Sequence, residues 1–481
     1  MTRAFYQPEN AWVGDFIPYY ENGTYYAFYL HDPRCVAQRY AEETTWYLVS
    51  TKDFVTYTEH GEAIARGDKN SPNLNAYTGS VIRGKDGKVY AFYTAFNEDY
   101  KQDGKSVQSV MVAKGDCPEK LETDPSFRMV ADPARYEAFD WRDPFVFWNE
   151  EDQCYWMLLA ARLLGSGERR GGCIALCKSA DLKNWEICDP FYAPGMYITM
   201  ECPEVFKMGD WWYLVFSTFS DRFMTHYRRA KSPSGPWEIP QDDTFDTRAN
   251  YAIKTAGTED KRYAFGWISS KRGGCDAGPW EWGGTAHFHE VVQNPQTGDL
   301  YVKPTEGIRS LFSRELPAQT AVTYGCEEPT AELPCRLNTY TMAAAQVSLP
   351  QEPFCLKMQV KDVQATEIGV SLHTDAGLET GYFLRIKDGM LAMDRWPRAQ
   401  KGFYQWQIDG DRAWEVETVR RLDPSDSYSI EIYREDSILC VYVNDKIALS
   451  TRAYDHTGKM AGLYVVGGSA VLESIRLYGM I

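Results

Sequence analysis

Tyr26-Ala27-Phe28-Tyr29 returns as Tyr90-Ala91-Phe92-Tyr93, then more loosely as Tyr155-Trp156-Met157-Leu158, Trp212-Tyr213-Leu214-Val215 and Tyr263-Ala264-Phe265-Gly266. Aromatic runs of this kind suit the half-buried faces of antiparallel strands. A turn signal stands before each one (Asn22-Gly23, Asp86-Gly87, Glu151-Asp152, Gly209-Asp210, Glu259-Asp260), and another short strand stands before the turn. The hairpin is therefore the repeating element. Downstream, Thr51-Lys52-Asp53-Phe54 with Tyr57 is echoed by Ser179-Ala180-Asp181-Leu182 with Trp185, and weakly between Ser232 and Trp237, which fits an outer-strand turn. Five units of about 50 to 65 residues, each with about four strands, cannot bury their faces alone and must stack on one another. Residues 1–305 are predicted to form a five-bladed β-propeller.

Beyond the fifth unit the character changes. Residues 306–322 carry Ile308, Leu311 and Phe312 at helical spacing, then Pro317, and read as a connector. From 323 to 481, strands alternate with turns at roughly ten-residue intervals, the pattern of a β-sandwich. The fold class expected is all-β, a propeller followed by a sandwich.

The 481 residues are 44% hydrophobic and 25% charged, without an apolar run near the ~18 residues a membrane span needs, so disorder and an integral membrane protein are excluded. The net charge of −16 repels phosphate backbones and anionic headgroups, which argues against nucleic acid and membrane partners. The N-terminus lacks the basic start and apolar stretch of a secretion signal, so a cytoplasmic protein is expected, as a monomer or homodimer. The 12 cysteines form no C-x-x-C pair and are expected to be reduced thiols.

Stacking the five units also aligns what stands about a dozen residues before each aromatic core, where a blade's innermost strand begins. Those positions hold Asp15, Ser80, Asp143 and Glu201. Three acids from three blades thus converge on one end of a central channel, an arrangement that is costly unless they share protons or meet a cation. Arg142, beside Asp143, offers that compensating charge. Two working carboxylates and a third acid are the equipment of glycoside hydrolysis. Trp12, Trp46, Trp141, Trp280 and Trp282 lie near these motifs in sequence and are candidates for an aromatic rim around a sugar.

These residues resemble glycoside hydrolase family 32, the invertase, fructanase and levanase group. Arg142-Asp143-Pro144 is similar to that family's R-D-P, Glu201-Cys202-Pro203 to its E-C-P, and Ala76-Tyr77-Thr78-Gly79-Ser80 to its F-S-G-S segment. Phe265-Gly266-Trp267 resembles its G-W strand, and Val441-Tyr442-Val443-Asn444-Asp445 its late F-V-N-D-G. The resemblance implies Asp15 as nucleophile, Asp143 as stabiliser of the furanose hydroxyls and Glu201 as acid and then base. The family's W-M-N-D-P-N-G appears as Trp12-Val13-Gly14-Asp15-Phe16-Ile17-Pro18, so the aspartate stays and two amides become Gly14 and Ile17. The glutamine of its F-Y-Q is Leu30, followed by His31 and Asp32, and its P-R segment reads Ala286-His287-Phe288-His289-Glu290.

The expectation is a retaining hydrolase, or transglycosylase, acting on a β-fructofuranosyl unit in a small oligosaccharide or difructose-type substrate. The catalytic residues would be Asp15, Asp143 and Glu201. Arg142, Trp12, Trp46, Ser80, His31, Trp282, His287 and Glu290 would line the substrate, and Ile17 and Leu30 would make the near subsite more apolar. No metal and no organic cofactor are expected, and sucrose should be a poor substrate. Two further readings stay open: an arabinofuranosidase or xylosidase of the related propeller clan, and a non-catalytic carbohydrate-binding protein.

Overall fold

Each of the five aromatic cores is the second strand of an antiparallel hairpin. The computed structural model describes residues 2–34, 44–102, 104–167, 169–318, 320–325, 332–397 and 417–481, so two of the cysteines, Cys35 and Cys326, lie outside the described residues. Blade one contains β1 (Trp12–Glu21), β2 (Thr24–Asp32), β3 (Thr45–Thr51) and β4 (Tyr57–Ile64). Blade two contains β5 (Asn75–Arg83), β6 (Val89–Gln102), β7 (Lys105–Cys117) and β8 (Lys120–Met129). Blade three contains β9 (Tyr136–Asn149), β10 (Cys154–Leu163), β11 (Gly172–Ser179) and the two-residue β12 (Glu186–Ile187).

Blade four has three hydrogen-bonded strands, β13 (Glu201–Met208), β14 (Trp211–Thr218) and β15 (Met224–Ala230), and isolated bridges from β15, Arg229 to Glu238 and His226 to Thr244, stand where a fourth would run. Blade five is β16 (Asn250–Gly257), β17 (Arg262–Lys271) and β18 (Trp280–Gln293). The fifth blade is joined to the first where Val13 of β1 faces Gly284 of β18, and the Ala286 amide donates to the Tyr6 carbonyl.

The outer-strand echo has a physical basis. Thr51 Oγ1 accepts from the amide of Phe54 (2.8 Å), and Ser179 Oγ from that of Leu182 (3.0 Å). Asp53 and Asp181 then accept from the amides two and three residues further on. In both turns the buried apolar residue, Phe54 or Leu182, takes a left-handed φ, 65° and 63°. The turn drives that side chain under the blade, so the sequence echo reports a buried plug.

Between blades the core is aromatic. Phe16, Phe54, Phe265 and Phe288 pack together between blades five and one, and Phe28, Trp46 and Tyr93 between blades one and two. Burying an aromatic side chain removes some 150–250 Å² from water, which is how sheets with no closed core of their own are held.

The chain divides into two compact units. The first is Met1–Phe245, Tyr251–Trp267 and Gly283–Leu300; the second is Asp246–Asn250, Ile268–Trp282 and Tyr301–Ile481. The stretch expected as a connector is a short helix, Glu306–Leu311, and two short strands, and it belongs to the second unit. That unit is a β-sandwich around a core that includes Leu356, Ile368, Leu384, Ile432, Val441 and Leu463.

The two runs read from sequence as separate strands, FCLKMQVKD and EIGVSLHTD, are one strand, Phe354–Thr374, bent by irregular register near residues 359–364 with Asp362 at φ 51°. The Asp there makes a bulge instead of a turn, because both halves keep pairing with the same long strand, Met460–Gly479. No helix among the described residues is long and apolar enough to cross a membrane.

Candidate active site

The innermost strands of blades one to four carry an irregularity near the same place. Register shifts fall between Val13 and Phe16, between Tyr77 and Gly79, between Arg142 and Phe145, and between Glu201 and Glu204. A bulge re-aims a side chain and interrupts pairing, and bulges concentrate beside active sites for that reason. Asp143 and Cys202 sit in their bulges at φ 58° and 51°, a region costly for a residue with a side chain, and Ala252 of blade five repeats the conformation at 53°.

These bulges bring Asp15, Asp143 and Glu201 together. Asp15 Oδ2 accepts from Thr78 Oγ1 at 2.7 Å, Oδ1 accepts from the Trp267 indole N–H at 3.1 Å, and the Cys202 thiol points to Oδ2 at 3.7 Å. Asp143 Oδ2 accepts from the Cys202 amide at 2.9 Å, and its own amide donates to Thr94 Oγ1 at 2.7 Å. Glu201 Oε1 accepts from Arg142 Nη2 at 3.1 Å and Oε2 from the Tyr251 hydroxyl at 2.7 Å. Phe223 stacks on the Tyr251 ring with centroids 4.1 Å apart.

Arg142 is the hub. Its guanidinium also donates to Asp140 at 2.6 Å and to Thr199 at 3.1 Å, and its Nε lies 3.9 Å from Asp143. Burial opposes its charge, but Glu201, Asp143 and Asp140 outweigh that and hold the guanidinium more firmly protonated than usual.

Burial, with Asp143 and Glu201 nearby, raises Asp15 to about 7 against the opposing bonds from Thr78 and Trp267. Burial also raises Glu201, although Arg142 pulls it back. Two interacting carboxyls that both resist ionisation lose their protons in two steps that belong to the pair and not to either residue.

The remaining sequence candidates divide. Trp12 is half-buried with the Arg34 guanidinium 4.1 Å above its ring, and His31, opposite Val13, stacks on Tyr47 at 4.0 Å. Glu290 is half-buried, and His287 is buried edge-on against His289 at 4.4 Å. Trp282 is exposed and belongs to the second unit.

Three expectations are corrected. Trp46 is wholly buried and spends its indole N–H on the Tyr77 carbonyl (2.9 Å), so it is core and not rim. Ser80 is buried and accepts from the Val146 amide (2.9 Å), stitching blade two to blade three; the blade-two residue that reaches Asp15 is Thr78. Ile17 and Leu30 pack with Phe28 and Trp46 inside blades one and two, so they line no subsite.

Residues that sequence reading passed over are Thr78, Tyr251, Trp267, Asp140 and Cys202. Thr78, Trp267 and Cys202 lie inside motifs already singled out. Tyr251 stands twelve residues before Tyr263, against eleven or twelve for the acids of the other blades, and escaped notice because it is a phenol.

Comparison with known proteins agrees with this geometry. The model of the glycosyl hydrolases family 32 N-terminal domain matches residues 5–304. The raffinose invertase of Escherichia coli is 23% identical over 496 residues, covering 95% of this chain and 90% of that protein. An exo-inulinase structure from Aspergillus awamori superposes with a TM-score of 0.74 at 16% identity, covering 100% of this chain and 98% of the other. A sucrose-6-phosphate hydrolase from Lactobacillus gasseri gives 0.71 at 18%, covering 100% and 93%. At such identities the structures speak for the propeller and sandwich alone, whereas the family match runs through all five blades and takes in each of the clustered acids: this chain belongs to family 32 of the glycosyl hydrolases.

Proposed function

We propose that this glycoside hydrolase cleaves β-fructofuranosyl linkages with retention of configuration. Asp15 attacks the anomeric carbon, Glu201 protonates the leaving oxygen and later activates water, and Asp143 with Arg142 holds the furanose hydroxyls. The observation that carries the division of roles is the contrast in donors. Among the described residues, Asp15 is met only by uncharged groups, which orient its lone pairs without neutralising the charge it would give to the carbon. Glu201 has a fixed cation on one oxygen and a hydroxyl on the other, and a hydroxyl can accept as well as donate, so that side suits both the acid and the carboxylate. The names of relatives, an invertase, an inulinase and a sucrose-6-phosphate hydrolase, support a fructoside.

The deciding experiment tracks the first-formed anomer by NMR with sucrose, raffinose and short fructans as substrates. Release of the substrate's configuration is the expected result; the opposite anomer would replace this reading with an inverting furanosidase. Gly14, in place of an amide beside the nucleophile, supports a small oligosaccharide or difructose over sucrose, because losing a designed hydrogen bond to a substrate hydroxyl can cost about 10⁴ in specificity. For compartment we infer the cytoplasm, in keeping with the ten described cysteines, all free thiols.

Glu201→Gln should lower turnover about 10² to 10⁴-fold on natural glycosides and far less on substrates whose leaving group needs no proton. Equal losses on both would remove Glu201 from the acid role. The pH dependence of kcat/KM should be bell-shaped, with both limbs above the ordinary carboxylate range, because burial raises Asp15 to about 7 and raises Glu201 as well. A plateau reaching down to pH 4 would contradict that.

A further inference from the structure

Beneath the three acids lies a buried cation that the proposed chemistry leaves unused. Lys254, on β16, is 1% exposed. Its Nζ donates to the carbonyl of Gly79 in blade two at 2.8 Å and lies 5.4 Å from the ring centre of Phe145 in blade three. A single side chain from blade five thus reaches two blades on the far side of the axis. Gly79 comes directly after Thr78, the residue that holds Asp15, and a Cβ there would come within 1.9 Å of the Phe92 carbonyl, so this close approach of two backbones requires glycine.

The charges nearby can be paired off. Arg142 serves Asp140, Asp143 and Glu201, and Arg162 also meets Asp140 at 2.8 Å. Glu204, buried on β13 and close enough for Lys254 to act on it, accepts from the Thr255 amide at 2.9 Å and has Arg262 at 3.9 Å. Among the described residues, Asp15 is then the clustered acid with no cation in contact, and Lys254 the cation with no carboxylate in contact. The Cys202 thiol, 3.7 Å from Asp15, is within electrostatic reach of both. Burying an ammonium costs several kcal/mol unless nearby charge repays it; Glu204 repays part of that cost, and Asp15 is the clustered acid without a cation of its own.

We propose that Lys254 is the positioning residue of the nucleophile: it pins the blade-two bulge from which Thr78 reaches Asp15 and, from beyond contact distance, favours the ionised form of Asp15. This rests on Asp15 being the nucleophile, but the test does not require turnover. The Trp267 indole N–H donates to Asp15, so its ¹⁵N resonance, assigned with Trp267→Phe, should track the ionisation of Asp15. Lys254→Met removes charge and donor, while Lys254→Gln removes the charge and keeps a donor for Gly79.

Both should move the Trp267 titration midpoint, and the acid limb of kcat/KM, upward by about one pH unit, the order of effect of one charge beyond contact distance in a medium of dielectric ~20. At a pH well below the limb this is about a tenfold loss of rate. Midpoints unchanged in both variants would overturn the inference, and so would failure of both to fold, which would make Lys254 a scaffold residue only. If the wild type hydrolysed no fructoside while the Trp267 midpoint still moved, the substrate assignment would fail and the role of Lys254 would stand.

Discussion

Asp15→Asn is expected to lose at least about 10⁴ in turnover, since under the proposed mechanism it removes the covalent nucleophile and leaves only binding and residual electrostatic stabilisation, and to be more stable than the wild type in alkaline solution. Asparagine keeps an acceptor for Trp267 and partners Thr78, so the bulge survives. The stability gain comes from burial. A carboxyl raised from 3.8 to about 7 in the folded state contributes stability that is complete below about pH 4 and is lost as the pH rises through about 7. The wild type therefore loses this contribution over that window and the neutral variant does not. At ~1.36 kcal/mol per pH unit the ceiling is roughly 4 kcal/mol, and a partly solvated site should return less. Thermal melts at pH 4.5 and 8.5 give the comparison. A Tm difference between variant and wild type that is the same at both pH values would show that Asp15 carries no burial cost.

Arg142→Met should produce the largest loss of stability of any single change at the site, about 3–5 kcal/mol, because it strands buried carboxylates that the guanidinium had compensated. Among the described residues, Asp140, Asp143 and Glu201 would face one another with Arg162, on Asp140, as the one cation remaining in contact. The loss should shrink in acid as Glu201 takes up a proton, so denaturant unfolding at pH 5 and pH 8 separates lost charge from lost packing. Asp140→Asn is the control: it removes one carboxylate and leaves the cation with Asp143 and Glu201, so its cost should be much smaller. A pH-independent loss, or an Asp140→Asn variant as unstable as Arg142→Met, would show that Arg142 acts by packing.

By itself the sequence determined the blade count, the hairpin as its unit and the three acids, because each is written in local order and repeated. Tyr26, Tyr90 and Tyr155 occupy like strands since every blade solves one burial problem with the same alternation, and Asp15, Asp143 and Glu201 are found by counting back from them. The tertiary structure decided which side chains face the acids. A bulge adds one residue and moves the rest of the strand's side chains to its opposite face, so the choice between Thr78 and Ser80 depends on a register shift that residue order does not display. Trp46, Ile17 and Leu30 are core because Phe28 of their own blade and Tyr93 of the next close over them. Lys254 gains meaning only when Gly79, 175 residues away, arrives opposite it. Periodicity is a property of neighbours along the chain, whereas compensation of charge is a property of neighbours in space, and only folding brings the second set together.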